Sequence, residues 1–154
     1  MKLLVYQKGK VYFNFTAFLV INLFILSSLL FNTFAQARTA ADVEKDLKKA
    51  ARSSVAIYKK GGMSGLISAT QGCYNKSDKN KFYCVYFDLA SRHIDQIFIE
   101  GTNFPPNIFF ADEQFGPRVA EVFTNANMDM TQCNDYLAKM TPIINKLVED
   151  ILQK

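Results

Sequence analysis

Lys81 to Glu100 reads KFYCVYFDLASRHIDQIFIE. Its apolar residues recur with the period of a helix. At about 100° per residue, Phe82, Val85, Tyr86, Leu89, Ala90, His93, Ile94 and Ile97 fall on one face, and Asp88, Ser91, Arg92 and Asp95 on the other. The stretch predicts one central amphipathic helix with its polar side in solvent. The rest of the chain then has to supply surfaces that pack against its apolar side.

On the N-terminal side of this stretch, Asn75-Lys76-Ser77-Asp78-Lys79-Asn80 has the composition of a turn, rich in side chains that bond their own backbone. Asn75-Lys76-Ser77 also has the form of a glycosylation sequon, a triplet that arises often by chance. Before the turn, Met63, Leu66, Ile67, Thr70, Cys73 and Tyr74 mark one face of a helix from Met63 to Tyr74, in which Gly65 and Gly72 each cost about 1 kcal/mol. An earlier helix starts at Thr39 or Asp42 and ends at Gly61-Gly62. Its apolar side is Ala41, Val43, Leu47, Ala50, Ala51, Ser54, Val55 and Tyr58. Asp42, Glu44 and Asp46 come early and Lys59 and Lys60 late, the order that the helix dipole favours. The run Lys45, Lys48, Lys49 and Arg52 recurs at spacings of a solvated helix face.

On the C-terminal side, Pro105 and Pro106 end the central helix and open a long connection. Ile108, Phe109, Phe110 and Phe115 make this segment unusually apolar. Two readings follow: a lid folded over one end of the bundle, or a partner-binding loop comprising Phe104, Pro105, Pro106, Ile108, Phe109, Phe110 and Phe115. A further helix starts at Asp112 or restarts at Pro117, with Val119, Val122 and Phe123 facing the core, and stops at Asn125-Ala126-Asn127. The last helix is capped by Thr131. It carries Cys133, Leu137, Met140, Ile144, Leu147 and Ile151 on one face, with a kink or break expected near Met140-Thr141 because of Pro142. The expected fold is all-α, an antiparallel bundle of four to five helices forming a single domain over residues 38–154.

The first 37 residues read as a secretory signal peptide. Lys2, Lys8 and Lys10 precede an uncharged run from Val11 to Ala37, and Ala35-Gln36-Ala37 suits cleavage before Arg38. The alternative is a membrane anchor retained over residues 11–34. Cleavage leaves 117 of the 154 residues, and with the three lysines gone, 15 Lys and Arg stand against 14 Asp and Glu. A net charge near +1 and the absence of Trp give nucleic-acid binding little support.

The sequence contains no nucleotide loop, no cofactor motif and no metal-ligand spacing, so neither cofactor nor metal is expected. In alternating helices Cys73, Cys84 and Cys133 come to the same end of the bundle. A Cys73–Cys84 disulfide is favoured because the two flank one short turn, leaving Cys133 free and buried. His93 lies on the apolar face of the central helix and reads as a satisfied core histidine. Only Cys133 and His93 can be drawn as a nucleophile and base, and an inert thiol explains Cys133 without chemistry, so no enzyme is expected.

In layout, the segment Thr39 to Lys154 resembles the small helical periplasmic immunity proteins that neutralise cell-wall amidases delivered by type VI secretion. The resemblance implies an exported helical module that binds and occludes another protein, and it assigns no individual residue. The alternative from the residues is a periplasmic carrier or chaperone for an apolar ligand or client, suggested by the 14 phenylalanines.

Overall fold

The structure, a computed structural model, describes residues 38–76, 80–100, 102 and 104–154. The expected signal segment and turn residues 77–79 lie outside the described residues. Within the unit Thr39–Lys154 the described elements are helices α1 (Ala40–Asn75), α2 (Lys81–Ile99), α3 (Asp112–Asn125) and α4 (Met130–Leu152), with a 3-10 turn at Ile108–Phe110. The fold is an all-α bundle.

Thr39 opens α1 with a capping box: its hydroxyl accepts from the Asp42 N–H at 3.1 Å, while the Asp42 carboxylate accepts from the Thr39 N–H at 3.3 Å. A straight helix as long as α1 would put Asp46 and Asn75 about 44 Å apart. Yet Asn80, five residues past Asn75, donates from Nδ2 to Asp46 Oδ2 at 2.8 Å. The chain reverses at Gly62, whose φ of 60° and ψ of −157° belong to a region that only glycine occupies readily. Just beyond, a Cβ on Gly65 would stand 3.4 Å from Ile57 Cγ2, so the two halves of α1 lie close together.

Paired residues give the directions of the other helices. Along α2, Phe82, Asp88 and Arg92 meet Phe123, Arg118 and Asp112 of α3 in descending order, so these two run antiparallel. Tyr86 and His93 meet Tyr136 and Glu149 of α4 in ascending order, so α2 and α4 run parallel. Counting the halves of α1 separately, five segments alternate in direction. Their core is filled by Leu66, Tyr86, Ile94, Phe110, Phe123 and Ile144. The Cys73–Cys84 disulfide joins the end of α1 to the start of α2, and Cys133 is free and buried. The Lys81 ammonium reaches back to the carbonyls of Tyr74 and Lys76, satisfying acceptors that the end of α1 leaves open.

Several expectations need correction. The supposed solvent side of α2 is largely interior: Asp88, Ser91 and Asp95 are all buried. Burial is tolerated because each finds a partner, and for Ser91 it is the Phe87 carbonyl at 2.8 Å. Of the two expected starts of α3, Asp112 is the one observed, and the helix passes through Pro117 without restarting. The cap of α4 is Asp129, two residues before Thr131, because Asp129 and Gln132 form a reciprocal capping box at 2.8 and 2.9 Å. No break occurs at Met140-Thr141, and α4 is continuous through Pro142. Pro142 and Ala138 both lie on the exposed side, so the Ala138 carbonyl that Pro142 leaves without an N–H is not sealed in the core.

Candidate functional site

The connection between α2 and α3 is held to the core at two points, one residue to either side of Ile108. On the N-terminal side, the Asn107 N–H donates to Asp95 Oδ2 at 3.0 Å, and Asn107 Oδ1 in turn accepts from the Phe109 N–H at 3.0 Å. On the C-terminal side, Arg118 donates from Nε and Nη2 to the two Asp88 oxygens at 3.0 and 3.2 Å. Its Nη2 also donates to the Phe109 carbonyl at 3.0 Å. The guanidinium lies 4.1 Å from the centre of the Phe109 ring, an added cation–π contact. Arg92 continues the pattern into α3. It pairs with Asp112 at 2.5 Å and sits 5.0 Å from the centre of the Phe115 ring.

These anchors divide the seven expected contact residues. Phe110 and Phe115 are core, 2 % and 7 % exposed, and Phe109 is half-buried beneath Arg118. Phe110 and Phe115 belong to the core cluster, so they are not part of the exposed surface of this connection. Phe104, Pro105, Pro106 and Ile108 are exposed, with Phe104 at 67 % and Ile108 at 79 %. Phe104 stacks on Phe98 of α2 with ring centres 6.5 Å apart, and Phe98 is itself exposed. The result is an apolar surface of Phe98, Phe104 and Ile108, stiffened by two prolines and fixed from below.

Burial sets the electrostatics beneath this surface. It pushes both Asp88 and Asp95 above the ordinary carboxylate range. Arg118 pulls Asp88 part of the way back, and the Asn107 N–H does the same for Asp95. The Tyr74 phenol is held protonated by burial first and then by the adjacent Asp88 charge. Its hydroxyl stands near that carboxylate without completing a hydrogen bond.

The residues considered for chemistry are kept apart. His93 Nε2 lies 2.8 Å from Glu149 Oε1, and Glu149 is about 24 Å further along α4 than Cys133. Burial also raises the Cys133 thiol, which lowers its thiolate fraction. Among the described residues no three His, Cys, Asp or Glu side chains converge as a metal site, and no helix is long and apolar enough to cross a membrane.

Asp88, Asp95, Asn107 and Arg118 were not among the expected site residues. Two sequence signals point to them. Tyr83, Cys84, Phe87 and Phe98 interrupt the supposed polar side of α2, as in a helix buried all round. Arg118 is also the only Lys or Arg between Arg92 and Lys139, one residue before the core residue Val119. Comparison with protein-family models, curated proteins and solved structures gives no match.

Proposed function

We propose that this chain is an exported helical module that works by binding another protein, in the manner of an inhibitor or immunity protein acting on an enzyme of the cell envelope. The observation that carries the reading is the display of Ile108. It is the most exposed large apolar residue among the described residues, and its neighbours are bonded to the buried Asp95 and the half-buried Arg118. An apolar side chain held out on an ordered backbone loses little entropy on docking, so more of its burial appears as affinity. Phe104 and Phe98 add aromatic area, the usual material of interface hot spots. Export is supported by the character of residues 1–37 and by the Cys73–Cys84 disulfide, a bond that persists in oxidising compartments.

The test pairs stability with capture. Replacing Phe104 and Ile108 together by Ser leaves stability within about 0.5 kcal/mol, as for exposed positions, and abolishes retention of the partner bound by wild type. Phe110→Ala costs about 3–5 kcal/mol as a core truncation. Unchanged capture by the double variant would remove this surface as the binding site.

A further inference from the structure

At the opposite end of α2 from the Ile108 loop, the two halves of α1 and the first turns of α2 enclose a cleft of about 600 Å³. That volume is in the range of small-molecule sites. Small residues of α1 leave room along its walls, with Ser53 from the first half and Ser68, Ala69 and Gly72 from the second. Its walls are fastened to each other. The Cys73–Cys84 disulfide joins the second half of α1 to α2, and the Asn80–Asp46 hydrogen bond joins the first half to the start of α2. A cleft braced in this way exists before any ligand arrives, which lowers the cost of binding.

Gly72 is an independent indication that the space is kept open. A Cβ built there meets nothing within 4 Å, so packing does not require glycine, and alanine would favour the helix more. Charge then selects the kind of occupant. Lys49 and Lys76 line the cleft, and an adjoining hollow that shares Lys49 and Ser53 adds Lys45, Lys48 and Arg52. Of the carboxylates in these linings, Glu44 pairs with Lys48, while Asp46 accepts a hydrogen bond from Asn80 and keeps its charge, so the five cations Lys45, Lys48, Lys49, Arg52 and Lys76 exceed the carboxylates by three. Lys45, Lys49, Arg52 and Lys76 have no carboxylate partner among the described residues. This excess of positive charge, on a segment with nearly balanced charge, focuses its field on the cleft. The Lys49 ammonium already lies 5.0 Å from the centre of the Tyr83 ring at the rim.

We propose that this cleft binds a small hydroxylated organic anion, a sugar acid or a sugar phosphate, with Lys49 and Lys76 on its charged group and Ser53, Ser68 and Asn80 on its hydroxyls. The site is separate from the Ile108 surface and does not depend on it.

Calorimetric titration of the full chain with glucuronic acid and with glucose 1-phosphate tests the proposal, with glucose and inorganic phosphate as controls. Saturable binding of at least one anionic sugar is expected at or below about 1 mM, and about tenfold weaker binding of both controls. The arm that binds tells carboxylate from phosphate. Gly72→Leu fills the cleft from a position with free space, and Lys49→Gln with Lys76→Gln removes the charge. Each abolishes binding or weakens it about tenfold or more. Thermal melts establish that the variants fold, and if Gly72→Leu does not, the lysine pair decides. The proposal is overturned if neither anionic sugar binds, if a control binds as tightly, or if a folded variant binds like wild type.

Discussion

The reversal of α1 rests on one residue, and a pair of substitutions isolates it. Gly62 has φ of 60° and ψ of −157°, while its neighbour Gly61 is within the helix, and a Cβ at either position would meet nothing within 4 Å. Sterics with the surroundings are therefore equal, and only backbone conformation differs. Gly62→Ala forces an L-residue into a region that costs about 1–3 kcal/mol. Gly61→Ala removes backbone freedom from the unfolded chain at a compatible position and stabilises by about 0.4–1 kcal/mol. The two variants should thus differ by roughly 1.5–4 kcal/mol, the sum of these effects. For a domain of this size, that is a gap of several degrees in Tm at about 4 °C per kcal/mol. Urea melts followed by circular dichroism provide the assay, with a shared slope confirming that both unfold from the same native state. A Gly62→Ala protein as stable as Gly61→Ala would refute the reversal at Gly62 and, with it, the hairpin that brings Asn80 to Asp46.

Two other outcomes follow from the core. Asp88 and Asp95 sit above the ordinary carboxylate range when folded, so in that window the folded chain holds protons that the unfolded chain has released. Stability therefore falls as pH rises above the ordinary carboxylate range and through the raised folded-state range. Asp95→Asn can still accept the Asn107 N–H, and it flattens that slope without loss of stability at neutral pH; a wild-type urea midpoint that climbs over the same window would contradict the assignment. Replacing both Cys73 and Cys84 by Ala opens a loop with a sequence separation of 11 and costs about 3 kcal/mol by loop entropy, read from urea melts with and without reductant.

Where the sequence could be read, the signal was local. Gly61-Gly62 marked the break in α1, although not which glycine makes it, because both stand in open space and only the backbone angle separates them. Cys73 and Cys84 could be paired because they flank one short turn. The Asp129 cap was missed in favour of Thr131, although its signal is local too, since Gln132 stands three residues on, as a capping box requires. What could not be read depended on contacts distant in sequence. Asp88 looks like a surface residue until Arg118, 30 positions later, arrives to neutralise it. Asp95 is explained only by the backbone of Asn107. The apolar connection posed the same difficulty. Phe104 and Phe110 are alike in sequence, and their opposite fates follow from the anchors at Asn107 and Phe109.

The proposed role of the surface around Ile108 and Phe104 is contact with a partner protein. A photo-crosslinking amino acid placed at position 108 or 104 in cells, with exposed Lys139 of α4 as the control position, tests it directly. One discrete adduct with a different protein is expected from positions 108 and 104 and none from 139. No adduct from either loop position, an adduct only between copies of this chain, or the same adduct from position 139 would contradict it.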